Sequence, residues 1–282
     1  MKLTRTVSIF VLAAVFSLSA FSQKQVDFRM KFLPNKTYTT EMVNDMKMEM
    51  DFLGDTAKRN QMLSNGLELP MQMDMLQEMS LSTQTGQLTA DRRIPLTISY
   101  NKMDVTMNMQ GKEMKQPNQF SGLKIKGYAT ESGKLSVEAI EGSSSAEMKE
   151  AIEKMVSQLL NAVQFPDKPM KQGDTFTQEL PMIVPAGANS LNLVVKINYT
   201  LKEVKEKQAF FDYTQAITLD MKAEQANSTA TGSGTGKMIY DIPLNYITDT
   251  TSDMILNMSM AVGDVKMKIN ATAKSTVKAK VL

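Results

Sequence analysis

Apolar residues recur at every second position over most of this chain. In "MKMEMDF", residues 46–52, Met46, Met48, Met50 and Phe52 fall in one phase, while Lys47, Glu49 and Asp51 fall in the other. Met42 extends that phase upstream. Met71, Met73, Met75, Met79 and Leu81 repeat it. So do Ile94, Leu96, Ile98 and Tyr100, and then Met103, Val105, Met107 and Met109 in the opposite parity. Leu191 to Tyr199, Phe211 to Met221, Leu256 to Met260 and Val265 to Ile269 follow the same rule. A period of two places alternate side chains on opposite faces of an extended strand. With the other face rich in Lys, Glu, Asp, Asn and Thr, the pattern predicts antiparallel sheet with one wet face. The change of parity between Tyr100 and Met103 predicts a turn or a bulge, because one extra residue flips every following side chain. The runs are long. They predict a mainly β protein built as a large curved antiparallel sheet or an incomplete barrel, not a compact sandwich.

One stretch departs from this period. "GSSSAEMKEAIEKMVSQLLNAV" offers Ser144 as an N-cap with Glu147 three residues on, a capping box. Met148, Ile152, Met155, Leu159 and Val163 then recur at helical spacing, and Glu150 and Lys154 form an i,i+4 pair opposite them. The prolines of "FPDKP", 165–169, end it. The expected layout is an N-terminal β half over 23–142, one central amphipathic connecting helix over 143–164, and a C-terminal β half over 165–282, together one continuous fold. "KTYTTE" at 36–41 and "DTFTQE" at 174–179 head the two halves after similar turns, which makes a duplication plausible.

The first residues add a location. Lys2 and Arg5 precede an apolar run from Val7 to Ala20, and Ala20-Phe21-Ser22 supplies small residues for cleavage. Residues 1–22 therefore read as a signal peptide removed before Gln23, which N-terminal sequencing of the exported chain would check. The expected location is the periplasm or the exterior, with no membrane span after cleavage. The chain has no cysteine, which excludes disulfides and the thiol that bacterial lipid anchoring requires. Its 32 basic and 30 acidic residues become 30 of each once Lys2 and Arg5 are gone. No basic block or aromatic-interleaved basic stripe is present, so nucleic acid is not expected as a partner. An outer-membrane barrel is disfavoured by the lack of Trp and of an apolar outer band with aromatic girdles.

Candidate chemistry is sparse. Without His or Cys, the Ser-His, Cys-His and zinc-His chemistries are closed. "SGLK" and "STVK" match S-x-x-K, but lie in strand-like sequence without the companion elements of that mechanism. No cofactor and no enzymatic activity are expected. "TGSGTG" at 231–236 has extended flanks and no following helix, so it reads as a bend, a bulge or a close backbone approach rather than a phosphate loop. The 25 methionines remain. Their M-x-M spacing suits Cu(I), which thioethers select, yet it is equally the spacing of core-facing neighbours on a strand. Leu, Ile, Val and Phe fill that phase wherever Met does not, so the core reading accounts for more positions.

The signal peptide, "FPDKPMKQGDTF" after a helix, the Met-alternating strands and "GSGTGKMIYD" before a late hairpin give the chain a family likeness. It resembles a family of secreted, β-rich Gram-negative envelope proteins known as a domain of unknown function. That resemblance implies an envelope location and a β-rich fold, and no activity. By shape the layout also looks like the half-barrels of lipoprotein carriers, an analogy of fold alone. The leading functional expectation is a non-enzymatic protein that binds an apolar small molecule, a lipid or a lipidated partner on a Met-lined concave face. The residues expected there are Met46, Met48, Met50, Met71, Met73, Met75, Met107, Met109, Ile152 and Leu159. The alternatives are an envelope interaction module with a filled core and a Cu(I)-binding protein.

Overall fold

The computed structural model describes residues 25–54, 56–116, 120, 122–130, 133, 135–142, 163–186, 189–219, 228–262 and 265–282. Twelve strands form one antiparallel sheet: β1 (Thr37–Gly54), β2 (Met71–Thr85), β3 (Arg93–Met109), β4 (Lys112–Gln116), β5 (Lys124–Thr130), β6 (Leu135–Glu141), β7 (Thr175–Ala186), β8 (Asn189–Lys205), β9 (Gln208–Leu219), β10 (Thr229–Asp241), β11 (Tyr246–Val262) and β12 (Val265–Val281). Their order is β6-β5-β3-β2-β1-β12-β11-β10-β9-β8-β7, with β4 pairing β3 beside β5. The first and last strands of the chain therefore meet in the middle of the sheet, and β6 and β7 stand at the two ends of the order. The sheet is open.

Burial follows the two-residue period. Along β1 every even position from Met42 to Met50 is half-buried and every odd one from Glu41 to Glu49 is exposed. β3 is continuous, and its parity change is a bulge: Ser80 pairs Lys102 while Leu81 pairs Tyr100, leaving Asn101 extra. Similar register shifts occur at Leu201/Glu203, Ile239/Tyr240 and Lys126/Gly127. Each adds local twist, which curls so wide a sheet. The β3–β4 hairpin turns on Gln110 and Gly111, both with positive φ (51° and 77°), as a two-residue turn matched to strand twist demands. The late hairpin after "GSGTGKMIYD" is also present, between β10 and β11.

Three apolar clusters occupy the inner face. One surrounds Phe28, Phe211 and Tyr240 in the C-terminal half. A second joins Leu81, Ile98, Tyr100 and Ile125 in the N-terminal half. A third, nearer the opposite ends of the strands, joins Leu256, Met258, Ile269 and Ile217. Residues 25–36 cross one end of the curled sheet. Val26 exchanges two 2.9 Å backbone bonds with Met170, and Phe28 meets the rings of Phe165, Phe211 and Tyr240 at 5.1–5.4 Å. Further on, the Leu33 N–H donates to the Tyr38 hydroxyl at 2.6 Å.

The expected central helix lies outside the described residues except for Val163 and Gln164, which are not helical. The helix among the described residues is α1 (Thr56–Ser64), in the β1–β2 connection, and the residue pattern does not foretell it. It buries no residue and lacks an apolar stripe. Arg59 ties it down, donating to the Phe52 carbonyl at 3.2 Å and to Asp51 Oδ1 at 3.3 Å.

Candidate functional site

Curling brings strands that are seven places apart in the sheet around one cavity of about 300 Å³. Its floor is a single cross-strand row: Met42 on β1, Val277 on β12, Thr250 on β11 and Met238 on β10, each directly opposite the next. Leu81 and Thr83 of β2 with Ile98 and Tyr100 of β3 form one wall. Tyr199 of β8 with Tyr213 and Gln215 of β9 form the other. Met30 and Phe32 of the N-terminal segment, with Val163, Tyr246 and Ile247, lie toward the end that this segment crosses, and Thr40 completes the lining. The cavity thus sits between the two upper clusters, where the halves face one another. No described residue of its lining is charged.

The tyrosines report how dry the lining is. Burial pushes the Tyr100 phenol up to about 12. Burial likewise raises Tyr246 to about 12 against the opposing hydrogen bond to Thr40. Tyr199 is raised by burial and then by the neighbouring Tyr213, and Tyr213 by burial despite its bond to Ser252. All four stay neutral at physiological pH, so these phenols offer the cavity hydroxyl dipoles and no fixed charge.

The glycines of "TGSGTG" explain the shape of the second wall. Gly232, Gly234 and Gly236 hold the inner phase of β10, directly opposite Ile217, Gln215 and Tyr213 of β9. A Cβ on Gly236 would run into the Tyr213 ring and the Thr251 carbonyl, and one on Gly234 would stand 2.9 Å from Gln215 Oε1. With no side chains there, the β9 residues lean across β10. Tyr213 reaches β11, where its hydroxyl donates to the Thr251 carbonyl at 2.9 Å. Close approach is therefore the role of these glycines.

The eight methionines expected at the site are brought together, but elsewhere on the same face. Register aligns Met107, Met75, Met46 and Ala273 in one row, Met109, Met73, Met48 and Ala271 in a second, and Met71, Met50 and Ile269 in a third. All eight are half-buried. They lie toward the α1 end, and none lines the 300 Å³ cavity, whose methionines are Met30, Met42 and Met238. Ile152 and Leu159 lie outside the described residues. The cavity residues Ile98, Tyr100, Tyr199 and Tyr213 were visible only as alternating apolar positions, and Met238 was not singled out. The combination of inner-phase Tyr on one strand with inner-phase Gly on the next was the usable signal. On the outer face, Lys47, Glu49, Gln72, Asp74 and Asn270, with the exposed Ile255, line an open hollow of about 430 Å³ of mixed polar and apolar character.

Neither a family model nor a curated protein matches the chain. Among solved structures it is similar to lipovitellin, from work on lipid–protein interactions in that protein, at 12% identity and a TM-score of 0.47. That match covers 89% of this chain and 26% of lipovitellin, so the chain spans about a quarter of its length. It is also similar to Pseudomonas aeruginosa OccK7 (OpdD), at 8% identity over 88% of this chain and 100% of that one, with a TM-score of 0.24. A BenF-like porin from Pseudomonas fluorescens Pf-5 matches at 10% identity over 89% and 100% of the two chains, with a TM-score of 0.20. The envelope-family resemblance and the half-barrel analogy therefore both stay on sequence pattern alone. With likeness this distant, the reading of the concave face rests on the chain's own geometry.

Proposed function

We propose that this chain is a non-enzymatic protein of the bacterial envelope or exterior that takes up an apolar ligand, or the acyl part of a lipidated partner, on its concave face. The observation that carries the reading is the 300 Å³ cavity, lined by uncharged and mostly apolar side chains from both halves of the sheet. That volume is at the lower end of the range of small-molecule sites, which are largely apolar with a few placed polar groups. The half-buried methionine rows continue the same face beyond it. Thioether side chains are adaptable and polarizable, which suits contact with guests of more than one shape. A filled core fits less well, because the two upper clusters leave this space between them.

Native mass spectrometry of the mature chain, extracted without detergent, is the direct test: the expected result is a bound mass released on unfolding. Uptake of the neutral dye N-phenyl-1-naphthylamine provides the second arm. Val277→Phe, which fills the floor, should abolish that uptake while the sheet remains folded. An empty spectrum together with no dye uptake would sink the proposal.

The methionine rows favour one competing reading, Cu(I) binding by thioethers. Changing Met46, Met48 and Met50 together to Leu decides it. A folded variant that has lost copper uptake would put the metal first.

A further inference from the structure

The polar groups of the cavity narrow the ligand. Tyr213 already donates to the Thr251 carbonyl, and Tyr246 is engaged with Thr40. Tyr199 and Gln215 differ. Both line the cavity, and neither side chain has a hydrogen-bond partner among the described residues. The ring of Tyr199 is fixed by stacking on Phe176, 4.6 Å away at 12°, so its hydroxyl is held in place. Tyr199 pairs with Tyr213, and Gln215 pairs with Ile197 two residues before Tyr199. The two are thus diagonal cross-strand neighbours on one face, a separation of roughly 7–8 Å between Cα atoms that side chains of this length can close onto a shared atom. Opposite Gln215 stands Gly234, so no β10 side chain blocks the amide. A phenol offers one donor and an acceptor, and a primary amide offers two donors and an acceptor. Among the described residues, no cation lines the cavity.

We infer that the cavity selects an uncharged amphiphile, a hydrocarbon chain ending in a hydroxyl or carbonyl oxygen, and holds that oxygen between Tyr199 and Gln215. The inference rests on the apolar-ligand reading above and adds the chemistry of the guest's polar end. An alcohol or ester oxygen exchanges its water hydrogen bonds for these two groups. An ionised carboxylate at the same depth would be desolvated with no counter-charge among the described lining residues, the costly case for a buried ion. The hydrocarbon lies against Met42, Leu81, Ile98 and Met238.

The experiment is displacement of N-phenyl-1-naphthylamine from the full mature chain at pH 8 by three guests: 1-decanol, decanoate and decane. The expected order is 1-decanol ahead of decanoate by at least tenfold. In the double variant Tyr199→Phe, Gln215→Leu, the affinity for 1-decanol should fall about tenfold while decane displaces as before. Equal displacement by decanol and decanoate overturns the inference, as does a double variant that treats decanol as the parent does. Either result leaves the apolar-ligand reading standing, since the dye is still bound and displaced. Failure of the parent chain to take up the dye at all would overturn both.

Discussion

Replacing Gly236 with Ala probes the contact that shapes the cavity's second wall. The new methyl group would enter the space of the Tyr213 ring and meet the Thr251 carbonyl. The carbonyl belongs to the β10–β11 ladder and cannot swing away without breaking it, so the ring must move and the β10 backbone must shift as well. Moving the ring forfeits the 2.9 Å bond from its hydroxyl to Thr251. Overpacking of this kind costs roughly 1–3 kcal/mol, and the lost hydrogen bond about 1 kcal/mol more. Against this, Ala in a strand recovers about 0.5–1 kcal/mol relative to Gly. The net is a destabilisation of about 2 kcal/mol, or a fall in Tm of about 4–8 °C for a chain of this size. Gly86 is the control. A Cβ there meets only Pro95, at 3.6 Å, an ordinary contact, and its φ is not positive. Gly86→Ala should be neutral or stabilising by about 0.4–1 kcal/mol. Urea denaturation of both variants beside the parent reads the difference. If Gly236→Ala unfolds with the parent, Tyr213 does not lie across β10, and the wall and cavity derived from it are wrong.

Other outcomes follow from the same contacts. Tyr240→Phe removes both bonds to Arg29, donated to its carbonyl at 2.7 Å and accepted from its N–H at 3.2 Å. A loss of about 1–2 kcal/mol and faster proteolysis within residues 25–36 are expected, and unchanged cleavage would refute the anchoring role. The Met46, Met48, Met50 to Leu variant should keep its fold, at less than about 1.5 kcal/mol per site; loss of the native circular dichroism signal would show that the thioethers do more than fill space. Alkaline titration bears on the buried phenols. Tyr100, Tyr240 and Tyr246 ionise near 12 in the folded chain against about 10 unfolded, so the unfolded state sheds protons first. Stability is then fully present below pH 10 and lost as the pH rises from 10 through 12, and phenolate absorbance that rises before unfolding would contradict this burial.

Alternation made the sheet legible because a strand's two faces depend only on residue parity. Met42 to Met50 on β1 and Phe211 to Ile217 on β9 lie on the face that parity assigns, and the slip after Tyr100 is the bulge it implied. Sheet order was not legible, since parity is local and the pairing of β1 with β12 joins residues such as Tyr38 and Val281 from the two ends of the chain. Helix α1 escaped notice for a different reason. "TAKRNQMLS" buries nothing, so no apolar stripe marks it, and Arg59 bonds it to β1 through Phe52 and Asp51.

The site was half legible for a related reason. Parity puts the methionines and the tyrosines on one face without distinction, and the dense M-x-M runs draw the eye to the α1 end. Where a cavity forms depends on which inner side chains meet across the curl, and Ile98 and Tyr199 line the same space from strands seven places apart in the sheet. Packing decides the rest. At the α1 end, methionines stand directly opposite methionines or Ala and Ile, and their unbranched chains spread to cover the face. Nearer the N-terminal segment the floor row runs Met42, Val277, Thr250, Met238, with a short branched pair at its centre. Rigid rings stand on either side of that pair. Tyr100 and Tyr199 cannot bend to fill the gap, since one stacks on Phe120 and the other on Phe176. A short floor between fixed aromatic walls leaves space, whereas a floor of methionines would close it. Val277→Met should therefore shrink the cavity with little effect on the fold, and Thr250→Ala should enlarge it.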